Sequence, residues 1–62
     1  MKNWTLDDLL IGKSFIGKHN VVFTVREYFN ERGMLFISFK RGDGAIRSET
    51  LENVHYLIGE KT

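Results

Sequence analysis

Two runs dense in β-branched and aromatic residues, 21–29 and 34–40, stand on either side of Asn30-Glu31-Arg32-Gly33. Such side chains suit a pleated, half-buried surface, and two such runs around a glycine-containing break read as an antiparallel hairpin. The rest of the chain has to build around that sheet. Gly42-Asp43-Gly44 supplies a second turn and 45–48 a further strand, while 14–16 is a short first strand closed by Gly17-Lys18-His19-Asn20.

The turns set an expected register. A three-residue loop Glu31-Arg32-Gly33, with Gly33 left-handed, pairs Asn30 with Met34, Phe29 with Leu35, Glu27 with Ile37 and Val25 with Phe39. One face then carries Phe23, Val25, Phe29, Leu35, Ile37 and Phe39, with Glu27 as its misfit; a slip of one residue would give a far poorer core. A type II′ turn on Gly42-Asp43 sets Phe39 opposite Ile46 on the same face. The other face carries Val22, Thr24, Arg26, Tyr28, Met34, Phe36, Ser38 and Lys40, with Tyr28 directly across from Phe36.

Before the sheet, Thr5 and Asp8 have the spacing of a capping box, Trp4 and Leu9 that of a hydrophobic staple, and Gly12 that of a helix stop. The spacing predicts a helix over 5–11. A helix of about two turns does not persist alone, so Trp4, Leu6, Leu9 and Leu10 must dock on the sheet. After Ser48 the pattern admits two readings: a single turn at 49–53 followed by a closing strand at 55–58, or a helix at 50–58.

The first of these readings gives a short strand, a long hairpin, a second hairpin, one 3₁₀ turn and a closing strand. That order resembles the SH3-like barrels across 13–58, without any signature motif. The resemblance implies a mainly β fold, a small and partly open five-stranded barrel with a short N-terminal helix, and implies no ligand. The aromatic motif of peptide-binding SH3 domains is missing, so proline-rich recognition does not carry over. The alternative is an α+β fold, a three- to four-stranded antiparallel sheet with the C-terminal helix at 50–58.

At 62 residues the chain holds one domain, 1–62, with one small core. With 42% hydrophobic residues its core barely offsets the entropy of ordering, so self-association would help it. The start runs into a capped segment rather than an apolar leader, and no apolar run approaches the ~20 residues of a membrane span. The expectation is a cytoplasmic protein off the membrane. Its size would suit an accessory-element or phage product that modulates a larger machine.

Catalysis finds little support. His19 and His55 have no metal-ligand spacing, there is no cysteine, and no glycine elbow surrounds a serine. Neither a cofactor nor a catalytic group is expected. The net charge is +1, but Lys13, Lys18 and Arg26 fall in an acid-free stretch, and Lys40, Arg41 and Arg47 have only Asp43 nearby. Rings beside cations on a sheet are the ingredients of a base-stacking platform. The leading expectation is nucleic-acid binding through Arg26, Tyr28, Phe36 and Lys40, with Lys18, Arg41 and Arg47 as phosphate contacts. The alternative is a protein-interaction or homodimerisation module using the same aromatic patch or a free sheet edge.

Overall fold

The computed structural model describes residues 3–61. Four strands, β1 (Ser14–Ile16), β2 (Val22–Glu31), β3 (Met34–Arg41) and β4 (Ile46–Thr50), form one antiparallel sheet in the order β1-β2-β3-β4. A 3₁₀ turn, Leu51–Asn53, and a short helix α1, His55–Ile58, follow. The fold is therefore mainly β with a short C-terminal helix. The closing strand expected at 55–58 is a helix, and β1 and β4 stand at opposite edges of an open sheet. Gly59, at φ 81°, stops the helix by donating its N–H to the His55 carbonyl. The α+β alternative, a four-stranded sheet with its helix near the C-terminus, fits this arrangement.

The 5–11 segment forms overlapping turns in place of the expected helix. Asp8 N–H donates to the Thr5 carbonyl at 3.0 Å and Leu9 N–H to the Leu6 carbonyl at 3.1 Å. These three-residue spans tighten the backbone enough to drive Leu9 into the core, whereas a two-turn helix would have to meet its nucleation cost from very few bonds. The Asp8 half of the capping box forms regardless: its carboxylate accepts from the Thr5 N–H and hydroxyl, each at 2.9 Å. Gly12 (φ 94°) then hands its N–H to Val25 and brings the chain onto the edge of β2 as β1 begins.

The β2–β3 register departs from the expected one at two places. The hairpin closes on a two-residue turn, Arg32-Gly33, with φ of 53° and 76°, so Glu31 faces Met34, Asn30 faces Leu35 and Phe29 faces Phe36. Both positive φ values match the type I′ turn favoured by strand twist. A bulge between Val25 and Glu27 then takes up one residue, and Val25 still meets Phe39. In the second hairpin the loop is Gly42-Asp43-Gly44, with Gly44 at φ 96° and Arg41 N–H donating to Ala45; Phe39 faces Arg47 instead of Ile46, which pairs with Lys40. A left-handed third residue makes the three-residue loop the favoured choice there.

Buried Leu9, Phe23, Val25, Ile37, Phe39, Val54 and Ile58 form one core, flanked by Trp4, Phe15, Val21, Tyr28, Leu51 and Leu57. The buried non-strand residues in it, Leu9, Val54 and Ile58, come from the N-terminal turns and the C-terminal segment. They cover one face of the sheet. The extents, 32 × 29 × 17 Å, fit a sheet plus a single covering layer at the usual ~10 Å spacing.

The two ends of the described chain are fastened to each other. Trp4 Nε1 donates to the Gly59 carbonyl at 2.8 Å, and the Trp4 ring meets Phe15 edge-on. The Lys61 ammonium lies 2.6 Å from Asp8. That hydrogen bond, then the one from the Thr5 backbone, lowers the Asp8 pKa from 3.8 to about 2. A depressed carboxylate contributes stability above its unfolded pKa and loses it as the pH falls through the folded one. Asp8→Asn is therefore expected to make the stability decline between pH 4 and pH 2 shallower by Asp8's share, as read by denaturant titrations across that range. Gly17 makes the other close approach: a Cβ there would sit 2.3 Å from the Leu57 carbonyl oxygen. Gly17→Ala is expected to destabilise by about 1–3 kcal/mol by lifting α1 from the sheet, measured by urea unfolding.

Candidate binding surface

The face opposite the covering layer is open in part: Ser38 and Thr50 on it are buried and Thr24, Phe29 and Phe36 half-buried, while its other residues are exposed. Alternation and pairing place Ser14 and Ile16 of β1, Val22 and Thr24 of β2, Phe36, Ser38 and Lys40 of β3 and Ile46 and Ser48 of β4 on that side. Ile16 is 70% exposed, and Val22, Ile46 and Met34 are also exposed. The apolar residues gather at two ends, Ile16, Val22 and Ile46 at one and Phe29, Phe36 and Met34 at the other. Between them runs a polar belt that includes a Ser14–Thr24 hydroxyl contact at 2.8 Å.

The bulge organises this belt. Arg26 is the extra residue; its guanidinium donates to the Ser38 hydroxyl and to the Glu27 carboxylate, both at 3.1 Å. Ser38 is buried beneath it. Glu27, expected to intrude on the core face, pairs instead across from Ser38 on the open side. The bulge resolves the misfit by allowing both Arg26 and Glu27 to reach water.

Past the bulge the phase is reversed from expectation. Tyr28 pairs with Ile37 rather than Phe36, faces the core layer, and donates its hydroxyl to the Leu9 carbonyl. Phe29 comes to the open face, where it stacks on Phe36 with centroids 5.3 Å apart and planes within 8°. The two rings lie nearly parallel and offset, and both residues are half-buried.

Of the seven residues expected to bind, the open face brings together Arg26, Phe36 and Lys40. Tyr28 is structural. Lys18 is exposed in the β1–β2 turn, beside His19 and Asn20, whose left-handed φ values of 60° and 59° bend the chain there. Arg41 is held by Asp43 through a two-pronged contact, at 2.9 Å from Nε and 2.5 Å from the terminal nitrogen. That pairing raises the Arg41 pKa and holds the Asp43 carboxyl well below its ordinary value. Arg47 faces Phe39, on the covered side at the sheet rim. Phe29, absent from the expected set, joins the surface because of the bulge, and no sequence signal marks one at Arg26.

A shallow hollow where the β1–β2 turn meets the second hairpin is lined by Val21, Val22, Arg41 and Gly42 among others, with its charges already paired. Among the described residues no group of three or more His, Cys, Asp or Glu stands together as a metal site. His55 uses Nδ1 against the Glu52 carbonyl. No helix of the described residues is long and apolar enough to cross a membrane.

Tyr28→Phe tests the structural role directly. It is expected to cost about 1 kcal/mol through the lost bond to Leu9, with an unchanged urea m-value. No family model matches this chain, and neither a curated protein nor a solved structure matches it significantly.

Proposed function

We propose that this chain is a non-catalytic binding module that docks a protein partner on the open face of its sheet. The observation that carries this reading is the make-up of that face. Ile16, Val22 and Ile46 are exposed at one end of it, Met34 is exposed beside half-buried Phe29 and Phe36 at the other, and its charges cancel, with Arg26 and Lys40 set against Glu27 and Glu31. Large apolar patches on small proteins mark interaction surfaces, and interfaces favour aromatic, Met and Arg side chains.

Nucleic-acid binding is the second reading, favoured by the meeting of Arg26, Phe36 and Lys40 on one face. Three features weigh against it. Phosphate contacts need an excess of cations that this face lacks. The Phe29 and Phe36 rings are already stacked on each other. Tyr28, Arg41 and Arg47 are engaged or turned elsewhere.

A photo-reactive amino acid at position 40, on the open face, and another at Glu52, on the covered side, separate the two readings in the producing cell. Position 40 is expected to give discrete adducts that protease removes and nuclease leaves intact, while position 52 gives none. In a parallel two-dimensional NMR titration with mixed oligonucleotides, the spectrum of the protein at about 0.1 mM is expected to stay unchanged. Nuclease-sensitive adducts, or salt-sensitive shifts at Arg26, Phe36 and Lys40, would overturn the protein-docking reading in favour of nucleic acid.

A further inference from the structure

The strand order leaves β4 at an edge, paired among the described residues with β3 alone. Natural edge strands are usually blunted by proline, lysine, a bulge or a covering segment. The chain has no proline, β4 has no lysine, its ladder with β3 runs without a register shift, and Ile46, Arg47 and Ser48 are exposed, with only Thr50 buried where the 3₁₀ turn begins. Its outer rim is a template for another strand.

The orientation of that rim follows from the hairpin. Arg41 N–H donates to the Ala45 carbonyl at 2.7 Å, so Ala45 addresses β3. Hydrogen-bonded and non-hydrogen-bonded pairs alternate along an antiparallel ladder, so Arg47 and Glu49 also address β3. The N–H and carbonyl groups of Ile46 and Ser48 therefore point outward, as does the Thr50 N–H, while the Thr50 carbonyl opens the 3₁₀ turn as its N-cap.

The sequence of β4, Ile46-Arg47-Ser48-Glu49-Thr50, is complementary to itself when laid antiparallel about Ser48. Ser48 then meets Ser48 of a second copy, Ile46 meets Thr50, and Arg47 meets Glu49, twice over. The outward-pointing backbone groups fall on the Ile46–Thr50 and Ser48–Ser48 pairs, where the ladder needs them. The Arg47–Glu49 pairs fall at the non-hydrogen-bonded positions, where side chains approach most closely. Neither Arg47 nor Glu49 is in an ion pair among the described residues. We propose that the chain forms a two-fold dimer by antiparallel pairing of β4 with β4 of a second copy, centred on Ser48.

The charges also select this register. A slip by two residues in one direction brings Arg47 against Arg47, and in the other Glu49 against Glu49; both are repelled. Parallel pairing in register aligns like with like. The two-fold axis runs through the sheet, so the dimer joins two four-stranded sheets into one and puts both open faces on the same side. The inference rests on β4 alone and stands whichever ligand the open face takes.

Sedimentation of the full chain, up to about 1 mM, reads the association directly, since an affinity anywhere in the micromolar range appears as dimer. Arg47→Glu and Glu49→Arg each turn both cross-copy pairs into repulsions and are expected to weaken the dimer by roughly tenfold or more. The double variant, Arg47→Glu with Glu49→Arg, restores opposite charges across the axis and is expected to recover the dimer. Met34→Ala, which trims the open face at a residue that does not pair with β4, is expected to leave it intact, and circular dichroism checks that each variant folds. A monomer at every concentration overturns the proposal. So does a dimer insensitive to the reversals, and one lost in Met34→Ala points to association through the open face instead.

Discussion

The bulge between Val25 and Glu27 sets two residues of β2 against Ser38, and every side chain from there to the hairpin tip is turned by one position. Tyr28 thereby faces the covering layer and ties its hydroxyl to Leu9, the deepest residue that the N-terminal turns contribute. Phe29 is sent to the other side, onto Phe36. A bulge bends its strand and increases the local twist, and here it also places a guanidinium over a buried hydroxyl that would otherwise lack a partner. The anchoring of the N-terminal segment and the character of the open face are two results of one inserted residue.

The covering layer is correspondingly thin. The N-terminal turns supply Leu9, and the C-terminal segment supplies Val54 and Ile58. Short helices do not hold themselves together in water, so α1 depends on the sheet it lies against and on its contact at Gly17. Hydrogen bonds between distant parts of the chain, from Trp4 to Gly59 and from Lys61 to Asp8, supplement a small apolar core. A chain of 62 residues buries a smaller share of its surface than a larger domain does, and directional contacts of this kind count for more in it.

Much of the sheet was legible from the residues. The four strands lie close to where the runs and turns placed them, and Phe23, Val25, Ile37 and Phe39 are in the core as their alternation indicated. The pairing of Val25 with Phe39 came out correctly through two compensating departures, a turn shorter by one residue and a bulge that restores the count. Arg32 gives no hint of the first, because type I′ turns favour Asn or Gly where Arg32 sits at φ 53°. Between the two departures the phase is inverted, and Tyr28 and Phe29 exchange faces. At the C-terminal end, Val54, Leu57 and Ile58 satisfy either period over so short a run, and only docking onto the sheet decides between them. The candidate site was legible in Arg26, Phe36 and Lys40, whose faces depend on β3 or on the bulge residue itself.

The Trp4–Gly59 hydrogen bond joins residues 55 positions apart, so the two ends of the described chain lie side by side. A fold closed in this way has no topological need for its present starting point. The backbone could be joined across Trp4 and Gly59 by a short linker and opened at the Gly42-Asp43-Gly44 loop, whose residues are exposed. The same proximity lets the whole unit be inserted into a surface loop of another protein with little separation of the host's strand ends.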